Sequence, residues 1–143
     1  MSAICLIIPE NNSLSVIHTY NWRMFNLLAE NLNFGEGPRW HNDKLWFSDF
    51  YQHAVLTVDL NGNIEKIVDI PNQPSGLGWL PNGDLLIVSM LDRKIMKYSN
   101  NALTLHSDLS ELTPFRCNDM VVDSDGHAYV GNFGSLHHAK DVK

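Results

Sequence analysis

The sequence predicts an all-β protein made of short antiparallel strands. From residue 45 onward, short apolar runs alternate with the turn-forming residues Gly, Asn, Asp and Pro, which is typical of closely spaced strands. Helical periodicity is weak, and the segment Met24–Leu32 is compatible with either a helix or a strand followed by a turn. The apolar runs are Leu45–Phe47, Ala54–Val58, Ile64–Val68, Leu85–Val88 and Met120–Val122.

Three dipeptides mark turns between these runs, namely Asn61-Gly62, Asn82-Gly83 and Asp125-Gly126. Asn, Asp and Gly tolerate the left-handed backbone conformation that two-residue hairpin turns require. The sequence therefore predicts a two-residue hairpin at each of these places. The segment Asp123–Gly126 also resembles the start of a calcium-binding loop, but the twelfth loop position is Gly134 instead of Glu, so we favour a hairpin turn.

A repeat of about 40 residues organises the strands. Glu36, Ser75 and Asn118 each stand four residues before an apolar residue that leads into a hairpin, at separations of 39 and 43 residues. The first two units continue with a third strand (Ala54–Asp59, Lys94–Tyr98) and a fourth (Ile64–Asp69, Thr104–His106). Four strands in this length are typical of one β-propeller blade.

The repeat divides the chain into three parts. Residues 1–33 form an N-terminal extension with a lead-in strand, residues 34–134 form two blades and the first half of a third, and residues 135–143 form a divergent tail. Because roughly four to eight blades are needed to close a propeller, two and a half blades cannot close. We therefore expect a part of a longer protein, a truncated product, or a unit that self-associates through its open edge.

Composition limits the classes of partner. The chain has 10 Lys and Arg residues against 16 Asp and Glu residues, a net charge of -6 that argues against nucleic acid. No apolar stretch approaches the roughly 18 residues needed to cross a membrane, and the run Ala3–Ile8 lacks the basic flank of a secretory signal. Cys5 and Cys117 form no disulfide framework. These features predict a cytoplasmic protein without membrane or nucleic-acid partners.

Four stretches resemble a known family when taken in order. They are Gly35–Trp40 (GEGPRW), Leu45–Asp49 (LWFSD), Gln73–Gly83 (QPSGLGWLPNG) and Arg116–Asp123 (RCNDMVVD). This region, Phe34–Gly134, is similar to the N-terminal portion of the regucalcin/gluconolactonase (senescence-marker-protein-like) family of calcium-dependent six-bladed propellers. The resemblance implies a partial six-bladed β-propeller with about two and a half four-stranded antiparallel blades.

The resemblance also implies a site and an activity. Glu36 matches the family's metal-ligating Glu, Asn118 matches an Asn at the metal and substrate, and Arg116 matches an Arg that contacts substrate in some members. The implied activity is hydrolysis of sugar lactones or related esters with Ca²⁺, or another divalent cation such as Zn²⁺, Mg²⁺ or Mn²⁺. The family's later ligands, an Asn and an Asp that is the usual candidate for activating water, have no counterpart before Lys143, so no catalytic residue is assigned.

The implied chemistry is physically consistent. Ca²⁺ takes about 6 to 8 oxygen ligands in irregular geometry, so carboxylates and amide oxygens from separate strands can hold it. A bound divalent cation polarises a carbonyl and orients water, and a neighbouring carboxylate accepts the proton. Because Glu36 and Asn118 occupy equivalent repeat positions, both are expected to project toward one axis, although two side chains cannot fill the coordination shell.

Each residue also has a structural interpretation. Glu36 could be a polar residue of a Gly-Pro turn, Asn118 a turn former, and Arg116 a solvated charge or the ion-pair partner of Asp119. Ser75 could line the channel or form a plain bend. We expect Cys117 to be a packed core thiol, and three tryptophans to pack between blades, namely Trp40, Trp46 and Trp79.

Two other functions remain open. Related propellers use the same metal to hydrolyse phosphotriesters, and loops outside this chain would decide between the two reactions. The chain could instead be a non-catalytic truncated or calcium-binding fragment, since the later ligands are missing.

Overall fold

The computed structural model describes residues 2–7 and 25–134 of the 143-residue chain. These ranges contain twelve β-strands and no helix, so they hold no helix able to span a membrane. The predicted divergent tail, residues 135–143, and residues 8–24 of the N-terminal extension lie outside the described residues. The strands are β1 (Ser2–Ile7), β2 (Phe25–Leu32), β3 (Gly35–His41), β4 (Lys44–Asp49), β5 (Ala54–Val58), β6 (Ile64–Asp69), β7 (Pro74–Trp79), β8 (Leu85–Ser89), β9 (Lys94–Ser99), β10 (Ala102–Asp108), β11 (Cys117–Val122) and β12 (Ala128–Asn132).

All strand pairs are antiparallel, and neighbours in a sheet are neighbours in sequence. Strands β3 to β6 form the first sheet, β7 to β10 the second sheet, and β11 with β12 the third sheet, while β1 pairs with β2. The segment Met24–Leu32, for which the sequence left two interpretations, is a strand over Phe25–Leu32. This arrangement confirms the all-β prediction and the four-stranded repeat in the first two units.

The core lies between successive sheets. Strand β8 shows how the sequence produces it, because side chains alternate between the two faces of a strand. Leu85 and Ile87 pack toward the first sheet, and Leu86 and Val88 pack toward the third. Both faces of β8 are therefore buried, which explains its uninterrupted apolar run.

Tryptophan packing follows the prediction for two of the three residues. Trp46 and Trp79 meet edge to face across the first and second sheets, with ring centroids 5.4 Å apart, and His41 stacks on Trp79 at 4.0 Å. Trp40 is 54% exposed, so its predicted packing between blades is wrong. Cys117 is buried, as expected of a core thiol.

The turn type predicted for the Asn-Gly and Asp-Gly pairs is wrong. Each lies in a three-residue loop, in which Gly62, Gly83 or Gly126 donates its N–H to the carbonyl three residues earlier. The glycine alone has positive φ there, at 84°, 87° or 88°, as in a type I turn followed by a left-handed residue. Two-residue turns occur instead at Asn42-Asp43 and Asn100-Asn101, where all four residues have positive φ.

Candidate functional site

The first strand of each sheet carries a β-bulge at the same place. On β3, Glu36 pairs with Ser48 and Arg39 pairs with Trp46, so three steps along β3 match two along β4. The same irregularity occurs on β7 and on β11. Because an extra residue bends the strand and re-aims the neighbouring side chains, these bulges form a repeated local structure suited to a site.

The register places Glu36, Ser75 and Asn118 at equivalent positions in these bulges. Each follows a residue that pairs with the last residue of the next strand, and the pairs are Gly35 with Asp49, Pro74 with Ser89, and Cys117 with Asn132. The separations of 39 and 43 residues in the sequence thus correspond to one position in three successive sheets.

Strand β7 lies between β3 and β11 and contacts both. The Ser75 hydroxyl donates a hydrogen bond to Asn118 Oδ1 at 3.3 Å, and the Ser75 carbonyl accepts one from the Ser48 hydroxyl at 2.6 Å. A Cβ atom at Gly37 would lie 2.9 Å from the Ser75 carbonyl oxygen, and one at Gly76 would overlap the backbone nitrogen of Met120. The two glycines therefore allow the three backbones to approach closely.

The predicted site residues differ in their surroundings. Glu36 is half-buried, and within the described part of the chain its Oε2 accepts one long hydrogen bond, 3.3 Å, from the N–H of Gly37. Asn118 is half-buried in contact with Ser75. Arg116 is exposed just before β11, and its carbonyl accepts a hydrogen bond from the N–H of Phe133 at 3.2 Å. The structure thus joins Asn118 to Ser75 and places Glu36 across β7.

Two charged residues near the site have partners that the sequence did not reveal. Asp119 pairs with Arg39 at 2.7 Å, a contact between residues 80 positions apart, whereas the sequence suggested Arg116 as its partner. Asp49 is fully buried, and its carboxylate accepts backbone hydrogen bonds from the loops before β3 and after β4, including those of Asn33 and Gln52. The LWFSD motif includes Asp49, but only the structure shows that its carboxylate accepts hydrogen bonds from two loops and so connects them.

The Cys117 thiol is excluded from the chemistry of the site. Burial raises the pKa of Cys117 above its usual value, so the thiol stays protonated at neutral pH. The thiolate is the form that binds metals and attacks substrates. Cys117 therefore serves packing, while Asn118, the next residue along β11, contacts Ser75.

The donor set suits a hard cation but is small. A carboxylate at Glu36, an amide oxygen at Asn118 and a hydroxyl at Ser75 are oxygen donors of the kind that Ca²⁺ prefers. Within residues 2–7 and 25–134, no group of three or more His, Cys, Asp or Glu side chains could hold a metal ion. The described residues can therefore supply only part of an oxygen shell.

Comparison with known families identifies the chain as a member of the SMP-30/gluconolactonase/LRE-like family, whose characteristic region matches residues 34–142. The match confirms the family resemblance seen in the sequence. It also includes residues 135–142, which the sequence analysis assigned to a divergent tail. A search of curated proteins returned no match.

Solved structures with the same fold include a gluconolactonase from Xanthomonas campestris, with 21% identity and a TM-score of 0.64 over 74% of this chain and 37% of that protein. A putative gluconolactonase has 23% identity and a TM-score of 0.56 over 69% and 41% of the two chains. A luciferin-regenerating enzyme has 15% identity and a TM-score of 0.55 over 77% and 48%. The chain spans less than half of each, and the similarity confirms the partial-propeller fold.

Proposed function

We propose that the complete protein is a divalent-metal-dependent lactonase that uses Ca²⁺ to hydrolyse small lactones or related esters. The observation that carries this proposal is the equivalent placement of Glu36 and Asn118 in the bulges of β3 and β11, with β7 between them. Membership of the family adds support. Since the chain spans less than half of the similar structures, the remaining ligands would come from outside the described residues.

The surroundings of Glu36 also favour a cation. Among the described residues no Lys, Arg or His forms an ion pair with this half-buried carboxylate. Within the part of the chain that the structure describes, the only hydrogen-bond donor to this carboxylate is the N–H of Gly37 at 3.3 Å. Its remaining lone pairs are therefore available to a divalent cation.

Asn118 is suited to be the second donor. Its Oδ1 accepts a hydrogen bond from the Ser75 hydroxyl, and an amide oxygen has a second lone pair that can bind a cation. When bound, the metal would act as a Lewis acid toward the lactone carbonyl. Arg116 would contact substrate from the exposed start of β11, and no described residue is assigned as the general base.

The test is calcium binding and lactone hydrolysis by the full-length protein, with Glu36→Gln beside Glu111→Gln. Glu111 is an exposed residue in the loop after β10, and its substitution removes the same charge. We expect chelation to abolish gluconolactone hydrolysis, Ca²⁺ to restore it, and Glu36→Gln alone to weaken calcium binding by about tenfold or more. If calorimetry showed an unchanged calcium affinity for Glu36→Gln, the assignment of Glu36 as a metal ligand would be wrong.

A second candidate is calcium binding without turnover. It is favoured by the small donor set in the described residues. Calcium binding with no hydrolysis of a lactone or a phosphotriester would support it, whereas turnover of the phosphotriester alone would favour the phosphotriesterase alternative. The cytoplasmic location, the lack of nucleic-acid and membrane partners, and self-association through the open edge remain proposals that rest on sequence and composition.

A further inference from the structure

Arg39 connects the first and third sheets directly. Its Nη2 donates hydrogen bonds to Asp119 Oδ1 and to the Met120 carbonyl, both at 2.7 Å. Its Nη1 donates to the carbonyl of Pro38 on its own strand at 2.9 Å. One guanidinium therefore joins β3 to β11, although β7 lies between them in the chain and in the stacking of sheets.

The lack of side chains at Gly76 and Gly78 on β7 makes this reach feasible. A Cβ atom on Gly76 would overlap the backbone nitrogen of Met120, and one on Gly78 would lie 2.5 Å from Val122 Cγ2. Strand β11 thus packs directly against the backbone of β7, which brings the Met120 carbonyl within reach of β3.

The contacts of Arg39 lie on the bulge that carries Asn118. Asp119 is the next residue, and its Oδ1 also accepts the N–H of Met120 at 2.8 Å. The same carboxylate oxygen therefore binds both the guanidinium and the backbone at the end of the bulge. These contacts restrain the backbone of β11 directly after Asn118.

Arg39 also lies on the same face of β3 as Glu36, the other candidate donor. Glu36 and Arg39 pair with Ser48 and Trp46, which are two residues apart on β4, so the bulge places both on one face of β3. We infer that Arg39 is a positioning residue that holds the bulge of β11 against β3 and thereby sets the Asn118 oxygen donor relative to Glu36. The calcium-binding part of this inference rests on the proposed function.

The exposure of the ion pair distinguishes positioning from stabilisation. The side chains of Arg39 and Asp119 are 29% and 56% exposed, and ion pairs of this kind contribute little to the free energy of folding. Residues that orient metal ligands, by contrast, typically change metal affinity by about 10- to 100-fold when they are replaced. The effect of Arg39 should therefore appear in the geometry of the site and in calcium affinity more than in folding.

The experiment compares Arg39→Gln with Lys44→Gln in the full-length protein. Lys44 also forms an exposed ion pair, with Glu65 at 2.9 Å, so the control removes the same charge and the same kind of contact away from the bulges. Two readouts are measured: the ¹H–¹⁵N signal of the Asn118 side-chain amide without metal, and the affinity for CaCl₂ by calorimetry. Thermal unfolding confirms that each variant is folded.

We expect Arg39→Gln to shift or broaden the Asn118 amide signal and to weaken calcium binding by about tenfold, and Lys44→Gln to change neither. Arg39→Lys should give a smaller effect, because Lys retains the charge but lacks the planar fork that reaches two acceptors. An unchanged Asn118 signal in a folded Arg39→Gln protein would overturn the inference.

The two proposals fail in different ways. If the wild-type protein binds no calcium, the proposed function fails, while the metal-free Asn118 signal still decides the role of Arg39. If Glu36→Gln loses calcium binding and Arg39→Gln does not, the metal site stands and the positioning role is refuted. Should Arg39→Gln fail to fold, Arg39→Lys and Asp119→Asn provide the same comparison.

Discussion

Strands β8 and β12 occupy the same place in the repeat but differ in burial. Both are the second strand of a sheet and pair with a bulged first strand. Every residue of β8 is buried, whereas every residue of β12 is exposed or half-buried. Strand β8 has β9 on its other edge and packed sheets on both faces, while β12 in the described residues pairs with β11 alone. Neighbouring sheets, more than position in the repeat, therefore determine burial.

The third sheet consequently presents apolar surface. Val121 and Tyr129 are 57% and 60% exposed there, and the outer edge of β12 has no strand partner among the described residues. Proteins usually cover or block such edges. The proposed self-association would use this edge.

The largest difference in stability between the second and third sheets is expected when a glycine is replaced by alanine. Gly76→Ala would force a Cβ into the backbone of Met120, and backbone cannot move aside as a side-chain end can, so we expect destabilisation of about 3 kcal/mol. Gly131→Ala on β12 is the control, because its Cβ would lie 3.6 Å from the Asp119 carbonyl oxygen, an ordinary contact. Urea unfolding measures both, and comparable losses would contradict this account of close packing.

A smaller difference in stability between the second and third sheets is expected when a valine is shortened to alanine. Val88 is fully buried between the second and third sheets, whereas Val121 on β11 is mostly exposed. Val88→Ala should lower the free energy of unfolding by about 2 kcal/mol, and Val121→Ala by less than about 0.5 kcal/mol. A large loss at Val121 in the same unfolding experiment would mean that the third sheet is covered in solution.

The smallest effect concerns turns, where the exposed third sheet and the first sheet should behave alike. Hydrogen bonds within the loops lower the pKa of Asp59, chiefly from the Asn63 side chain, and of Asp123, chiefly from the His127 backbone N–H. A lowered folded-state pKa stabilises the protein above the unfolded value of 3.8, and this contribution is lost as the pH falls through the folded-state pKa.

Carbon-detected NMR titration of the two carboxyl groups would test this expectation. Asn63→Ala should raise the pKa of Asp59, whereas His127→Ala should leave most of the lowering at Asp123 because the backbone N–H remains. A normal pKa at Asp123 alone would indicate that the exposed third sheet does not hold its turn.

Local patterns predicted much of the fold because strands and bulges repeat. The strand Ile64–Asp69 has the predicted bounds, and the equivalence of Glu36, Ser75 and Asn118 was readable from spacing since each precedes a similar hairpin. Turn types were not readable in the same way. A glycine after Asn suits both a two-residue turn and a three-residue loop, and the register of the flanking strands selects between them.

Long-range partners could not be inferred from one sequence. Trp40 and Trp79 occupy equivalent positions, yet only Trp79 packs against a neighbouring sheet. Asp119 had a nearby candidate partner in Arg116, but its partner is Arg39 on another sheet. Side chains so far apart in sequence meet only when the stacking of sheets brings them together.

The sequence by itself determined most of the strands, the four-stranded repeat, the family and the candidate donors, because these depend on apolar periodicity and on short motifs within one repeat. The tertiary structure decided which strands are buried, how Asp119 pairs and which glycines β7 requires, because these depend on contacts between sheets. Strand β11 packs directly against the backbone of β7 at Gly76 and Gly78, and this packing brings the Arg39 side chain into contact with the bulge that carries Asn118. No local sequence pattern predicts this contact between the first and third sheets.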